Sequence, residues 1–224
     1  MKTHIEYIVS VLVSLVMLVS CDLKEHPTSF VNSETFYENE TQCRTSLQGC
    51  YLPAATIYCA DFMLVTEACT DIWYSNSSTK DAVLEVTPAK PQFGATLWRQ
   101  GYLGVMRCNE AVECISKATF KESSRMALQA EARVLRAFYY YLLTNMFDGV
   151  PYYTERVATD DDLMRIRNLD RTPANDIRRL LYDDLKTNAI PYFTEENGLK
   201  KRPSEIKGNT AGYAMGLMLI RHVV

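Results

Sequence analysis

The side chains with most chemistry to offer lie in the run Thr70-Asp71-Ile72-Trp73-Tyr74-Ser75-Asn76-Ser77-Ser78. Two aromatic planes stand beside a carboxylate and an amide. Sugar rings have apolar C–H faces that stack on Trp or Tyr, and hydroxyls that suit Asp and Asn. Asp71, Trp73, Tyr74 and Asn76 are therefore the candidate ligand-binding residues, with an oligosaccharide as the ligand class. A second role stays open to the two rings: anchoring their loop to neighbouring helices. Asp160-Asp161-Asp162 is another acidic cluster, but the Gly and closing Glu of a calcium loop are missing. It reads as a solvated turn, and no metal site is assigned.

Catalytic groups are harder to find. The three histidines are His4, His26 and His222, so none lies between 27 and 221. A histidine triad or a His-rich zinc site is not available there. A hydrolase would need two carboxylates at a fixed separation, and no motif nominates a pair. No catalytic residue and no cofactor is assigned. Lys+Arg 24 against Asp+Glu 27 gives −3 with no long basic run. That argues against a nucleic-acid partner, since a phosphate backbone wants a clustered positive face. With 47% hydrophobic and 23% charged residues, the chain is neither disordered nor multi-spanning. Its 224 residues allow one or two domains.

Residues 1–20 read as an export signal. Lys2 precedes an apolar run, Ile8 to Val19, broken only by Ser10 and Ser14. As a helix it would rise about 18 Å, short of a hydrocarbon core of roughly 30 Å. That length suits a signal-peptide core. Leu18-Val19-Ser20-Cys21 resembles the lipobox of bacterial lipoproteins, which implies that Cys21 is lipidated and opens the mature chain. Several acyl chains, at ~0.8 kcal/mol per buried methylene, hold a protein stably on a membrane. Asp22-Leu23-Lys24-Glu25 resembles the surface-export signal of Bacteroidetes lipoproteins. Residues 21–32, polar and carrying Pro27, form a lipid-anchored tether.

The other cysteines are Cys43, Cys50, Cys59, Cys69, Cys108 and Cys114. An exported chain permits disulfides, and sequence cannot choose among the pairings. No Cys-x-x-Cys occurs, which weakens redox and zinc readings. Buried core thiols and disulfides both remain open.

The elements that must position these groups are helices. Ser33 can cap a short helical turn carrying Phe36 and Tyr37, and Asn39 a longer helix through Leu47 and Tyr51. Residues 69–92 form an exposed excursion. From 95 to 116, Leu97, Tyr102, Val105, Met106, Ala111 and Ile115 recur at helical spacing. The clearest helix runs from about 123 to 147, where Leu128, Ala132, Leu135, Phe138/Tyr139, Leu142 and Met146 form one wide apolar stripe. Gly149, in a left-handed C′ position, and Pro151 should end it. Thr172-Pro173 reads as a capping hydroxyl with Pro at N1, opening a helix that carries Ile177, Leu180, Leu181 and Leu185. A last helix spans roughly 206–222. The fold class is predominantly all-α, with antiparallel helix pairs and long loops.

The segment Gln129 to Pro151 resembles the signature of SusD/RagB-type nutrient-binding lipoproteins: an EAR-x-LRA helix with paired aromatics, then a Phe-Gly-x-Val-Pro turn. Asp148 stands where that turn usually has Gly. Other pieces fall in the family's order: Cys21-Asp-Leu, Glu34-Thr-Phe-Tyr, Trp98 with Tyr102, Arg107-Cys108-Asn109-Glu110-Ala111 with Ile115, Arg171-Thr172-Pro173 into Asp184-Leu185-Lys186, and Arg202-Pro203 before Ala211. The resemblance implies tetratricopeptide-like helix pairs in a SusD-like N-terminal domain over 33–224. The family's members are much longer, so the chain reads as an incomplete, truncated member. Bottom-up, Glu131, Arg133 and Arg136 read as inter-helix polar contacts, and Phe138–Tyr141 as packing residues.

The resemblance further implies a cell-surface lipoprotein of the outer membrane. It would capture nutrient oligosaccharide and deliver it to a SusC-like TonB-dependent transporter. Peptide cargo is possible in such a family. Two other classes compete: a surface glycan hydrolase, and a helical-repeat scaffold that binds only protein.

Overall fold

The structure, a computed structural model, describes residues 36–62, 66, 67, 70 and 94–192. The export signal, Cys21, the tether, Ser33, Cys69, the four candidate ligand residues and the 206–222 helix lie outside the described residues.

Among the described residues five α-helices carry the fold; four follow the expected helices, and the fourth in chain order was not expected. They are α1 (Glu40–Thr56), α2 (Gly94–Lys117), α3 (Glu122–Phe147), α4 (Asp160–Arg167) and α5 (Ala174–Asn188). A π-helical turn, Ile57–Asp61, extends α1, and a 3-10 turn, Ile190–Tyr192, follows α5. Two minimal strands, β1 (Val150–Pro151) and β2 (Arg171–Thr172), pair antiparallel, with Val150 opposite Thr172.

Side-chain contacts fix the helix directions. Gly49 meets Arg107 and Tyr37 lies near Cys114, so α1 and α2 run antiparallel. Gln129 reaches Val112 and Arg136 reaches Asn109, so α2 and α3 do the same. Arg136 with Asp184 and Asn145 with Arg178 set α5 antiparallel to α3. The stripe of α3 faces this interior: Leu128, Ala132, Leu135, Phe138, Tyr139 and Leu142 are all buried. Leu135 alone contributes about 1.5–3 kcal/mol by leaving water. Ile177, Leu181 and Leu185 supply the buried face of α5, while Leu180 is exposed. Met106 is exposed as well, beside a fully buried Val105. One residue turns a helix by about 100°, enough to carry an apolar neighbour out of the stripe.

Helix ends show where local rules hold and where they yield. Asn39 caps α1 in a full capping box, its Oδ1 accepting from Gln42 N while Gln42 Oε1 accepts from Asn39 N. Its extended backbone (φ −137°, ψ 167°) breaks any helix running through it. Phe36 and Tyr37 are accordingly not helical, contrary to expectation. Asp160-Asp161-Asp162 is the first turn of α4, capped by Thr159, rather than a loop. Acidic residues there complement the helix dipole.

Two further boundaries differ from expectation. Asp148, not Gly149, takes the positive φ that ends α3 (φ 58°, ψ −128°). Gly149 serves a different need, since a Cβ there would sit 2.9 Å from the Thr172 carbonyl oxygen. At α5, Pro173 occupies the N-cap, and its carbonyl accepts from Asp176 N and Ile177 N. Thr172 does not cap the helix because the ladder with Val150 holds it.

Candidate functional site

Pro53 lies inside α1 and has no N–H to give the carbonyl of Gly49. Arg107 of α2 takes that oxygen with Nη1 at 2.8 Å. One residue further on, the Tyr139 hydroxyl enters the same helix. It donates to the Cys50 carbonyl and accepts from Ala54 N at 3.1 Å. A regular helix would join those two groups directly. Room for the ring comes from Gly104, where a Cβ would lie 2.4 Å from it.

The rest of the α3 signature is engaged in the same way. Arg136 is 2% exposed and donates to Asp184 Oδ2 at 2.6 Å and to Asn109 Oδ1 at 2.9 Å. Arg133 holds the other Asp184 oxygen, also at 2.6 Å. Burial alone would raise the Asp184 pKa, but the two guanidiniums and the Asn188 amide outweigh it and hold the carboxyl below its ordinary range. Glu131 accepts from Tyr51 at 2.6 Å, and burial pushes its carboxyl up despite that bond. The Tyr140 hydroxyl donates to the Tyr153 carbonyl at 2.8 Å and accepts from Tyr153 N at 2.9 Å. Glu131, Arg133 and Arg136 are thus inter-helix contacts, as expected. The carboxylates of Glu131 and Asp184 are each bound to a partner.

The segment carrying Asp71, Trp73, Tyr74 and Asn76 leaves α1 through the π turn and rejoins at α2. Both joints are aromatic. On the outgoing side, Tyr58 packs against Phe62 at 4.6 Å and stacks on Phe138 at 6.2 Å between centroids. Tyr58 remains 46% exposed, a flat ring at the root of the segment. On the returning side, Phe147 sits against Gly94 and meets Trp98 edge-on at 5.0 Å. Arg171 covers the Trp98 ring at 5.7 Å. Trp98, despite its ring, is a packing residue.

At the other end of the α1–α2 pair lies a cleft of about 500 Å³, lined by Tyr37, Glu38, Cys114, Lys117, Ala118, Thr119 and Arg156. Arg156 approaches Glu110 there at 3.5 Å. Neither Tyr58 nor this cleft was marked by the sequence. A half-exposed tyrosine has the same apolar neighbours in sequence as a buried one, and the cleft gathers residues from distant segments. Among the described residues no group of three or more His, Cys, Asp or Glu side chains could hold a metal ion. No described helix is long and apolar enough to cross a membrane.

Comparison with known proteins agrees with this frame. SusD-like protein P2 of Formosa agariphila is 24% identical over 227 aligned residues, covering 96% of this chain and 43% of that protein. The chain therefore spans less than half the length of that relative. A SusD-like protein of Bacteroides fragilis superposes with a TM-score of 0.64 at 19% identity, covering 89% of this chain and 37% of that one. Surface glycan-binding protein A of Bacteroides thetaiotaomicron, solved with laminarihexaose, gives 0.59 at 20% identity over 82% of this chain and 38% of that one. The SusD-like family model described as "starch-binding associating with outer membrane" matches residues 23–206. With most of the chain inside that match, and the helix signature folded as its frame, the chain belongs to the SusD-like family of outer-membrane-associated proteins.

Proposed function

We propose that this chain is the N-terminal part of a non-catalytic surface lipoprotein that binds nutrient oligosaccharide. Cys21 is its lipidation site and outer-membrane anchor. Asp71, Trp73, Tyr74 and Asn76 contribute to the ligand surface, and a SusC-like TonB-dependent transporter receives the cargo. One observation carries the reading: Arg136, Tyr139 and Tyr140 of the signature helix are engaged in bonds within the frame, which favours recognition by the segment between α1 and α2. The similarity to a glycan-binding protein solved with laminarihexaose supports an oligosaccharide as the ligand class. The absence of a nominated proton donor and acceptor supports binding over cleavage.

Affinity electrophoresis through laminarin, starch and other glycans, with reducing-sugar release measured on the same panel, tests this. Retardation by at least one glycan without sugar release is expected. Release of reducing ends by pure protein would favour the hydrolase, and no retardation by any glycan would favour a protein-binding scaffold or peptide cargo.

A further inference from the structure

We propose that Cys50 and Cys108 form an interhelical disulfide in the exported protein, locking α1 to α2 on either side of the ligand-bearing segment. Both are thiols in the structure, and both are buried, at 1% and 0% exposure. They lie at the same level of the antiparallel pair, each one residue after the Gly49–Arg107 bond, both inside the buried interface. The backbone around them is held independently. Arg107 Nη1 bonds the Gly49 carbonyl at 2.8 Å, one residue before each cysteine, and the Tyr139 hydroxyl holds the Cys50 carbonyl. The bond itself needs the two sulfurs to close to about 2.05 Å.

The compartment supplies the driving force. A protein associated with the outer membrane crosses an oxidising periplasm. The oxidant is a disulfide of a thiol oxidase or of glutathione. One protein thiolate attacks it and releases the first reduced thiol; the second protein thiolate attacks the mixed disulfide and releases the other. Two protein thiols are oxidised, one donor disulfide is reduced, and the two protein protons end on the two released thiols. Burial holds Cys108 in its thiol form once the fold is complete. The exchange therefore belongs to the folding chain, before the helices close over it.

The loop so closed, of roughly 60 residues, contains the whole segment from Phe62 to Gly94, and a cross-link of that length removes much unfolded-state entropy. The test uses the full chain isolated from the membrane fraction of a periplasm-competent host. Free thiols are blocked with iodoacetamide in denaturant, the protein is reduced, and new thiols are labelled with N-ethylmaleimide before peptide mapping. Only the second label at Cys50 and Cys108, and one linked peptide pair without reduction, is the expected result. Iodoacetamide on both, or either cysteine joined to a different one, overturns the pairing. In parallel, reduction should lower the wild-type Tm by about 10 °C. The double variant Cys50→Ala/Cys108→Ala should show no such fall on reduction; an equal fall in both proteins would overturn the assignment. If the chain retains Met1 and stays in the cytoplasm, export has failed, and the same map after refolding in oxidised glutathione decides the pairing.

Discussion

The hydroxyl of Tyr139 stands where α1 would otherwise bond itself, between the carbonyl of Cys50 and the amide of Ala54. It is a side chain of one helix acting as main chain for another. Tyr139→Phe keeps the ring and deletes the oxygen, leaving one buried donor and one buried acceptor without it. At about 1–3 kcal/mol for each unsatisfied group, the loss should be about 2–4 kcal/mol. Urea denaturation of the full chain measures it. A midpoint equal to wild type would mean that α1 recloses its own ladder.

Asp184 should give the fold an acid limit. Its pKa in the folded chain lies below the unfolded value, so its stabilisation is complete above the ordinary aspartate pKa of about 3.9 and is lost as pH falls through the folded value. Glu131 works the other way: its pKa is raised, so its contribution is complete at low pH and is lost as pH rises through the folded value. Asp184→Asn, which strands Arg136 in the interior, should cost about 3–5 kcal/mol at pH 7. The gap between variant and wild type should narrow below about pH 4. A gap that stays constant from pH 7 to pH 2 would remove Asp184 from that role.

Asp148 holds a backbone conformation that favours glycine. Strain of this kind costs about 1–3 kcal/mol, partly offset in the variant by the greater unfolded freedom of glycine. Asp148→Gly should therefore stabilise the chain by about 1 kcal/mol, read as a Tm rise of about 2–4 °C. The neighbouring Gly149→Ala should do the opposite, because its Cβ would strike the Thr172 carbonyl.

Trp73→Ala and Tyr74→Ala test the proposed ligand surface. Each should weaken retention by the responsive glycan by about 1–2 kcal/mol, the scale of one stacking ring, and leave the Tm unchanged. A lowered Tm with unaltered binding would assign both rings to packing.

Cys21→Ala tests the proposed anchor. The variant should lose its acyl mass and leave the outer-membrane fraction. Mass spectrometry finding wild-type Cys21 unmodified, with residues 1–20 still attached, would overturn the lipoprotein assignment.

Much of the frame could be read from the chain alone, because its information is local. The stripe through Leu128, Leu135 and Leu142 gave α3 within a residue of its start, and Asn39 announced α1. The misread ends are those decided at a distance. Thr172 looks like a cap until Val150 pairs with it, and Gly149 looks like the left-handed residue until the Thr172 carbonyl is seen pressed against it. Arg133 and Arg136 could be read as contacts between helices, yet Asp184 as their shared partner could not be named, since many acids lie at suitable spacings. Tyr139 was legible as core, but its role depends on Pro53 freeing a neighbouring carbonyl in another helix. Asp71, Trp73, Tyr74 and Asn76 rest on residue chemistry alone and lie outside the described residues.

The two joints at Phe62 and Gly94 have an evolutionary consequence. They stand at one end of the α1–α2 pair, which Arg107 bonds directly and Tyr139 of α3 braces elsewhere. If the segment is the ligand surface proposed above, its chemistry can change while Arg107 and Tyr139 hold the helices in register. Exchanging residues 63–93 between relatives should then transplant cargo preference as a cassette, leaving the recipient's melting behaviour largely its own.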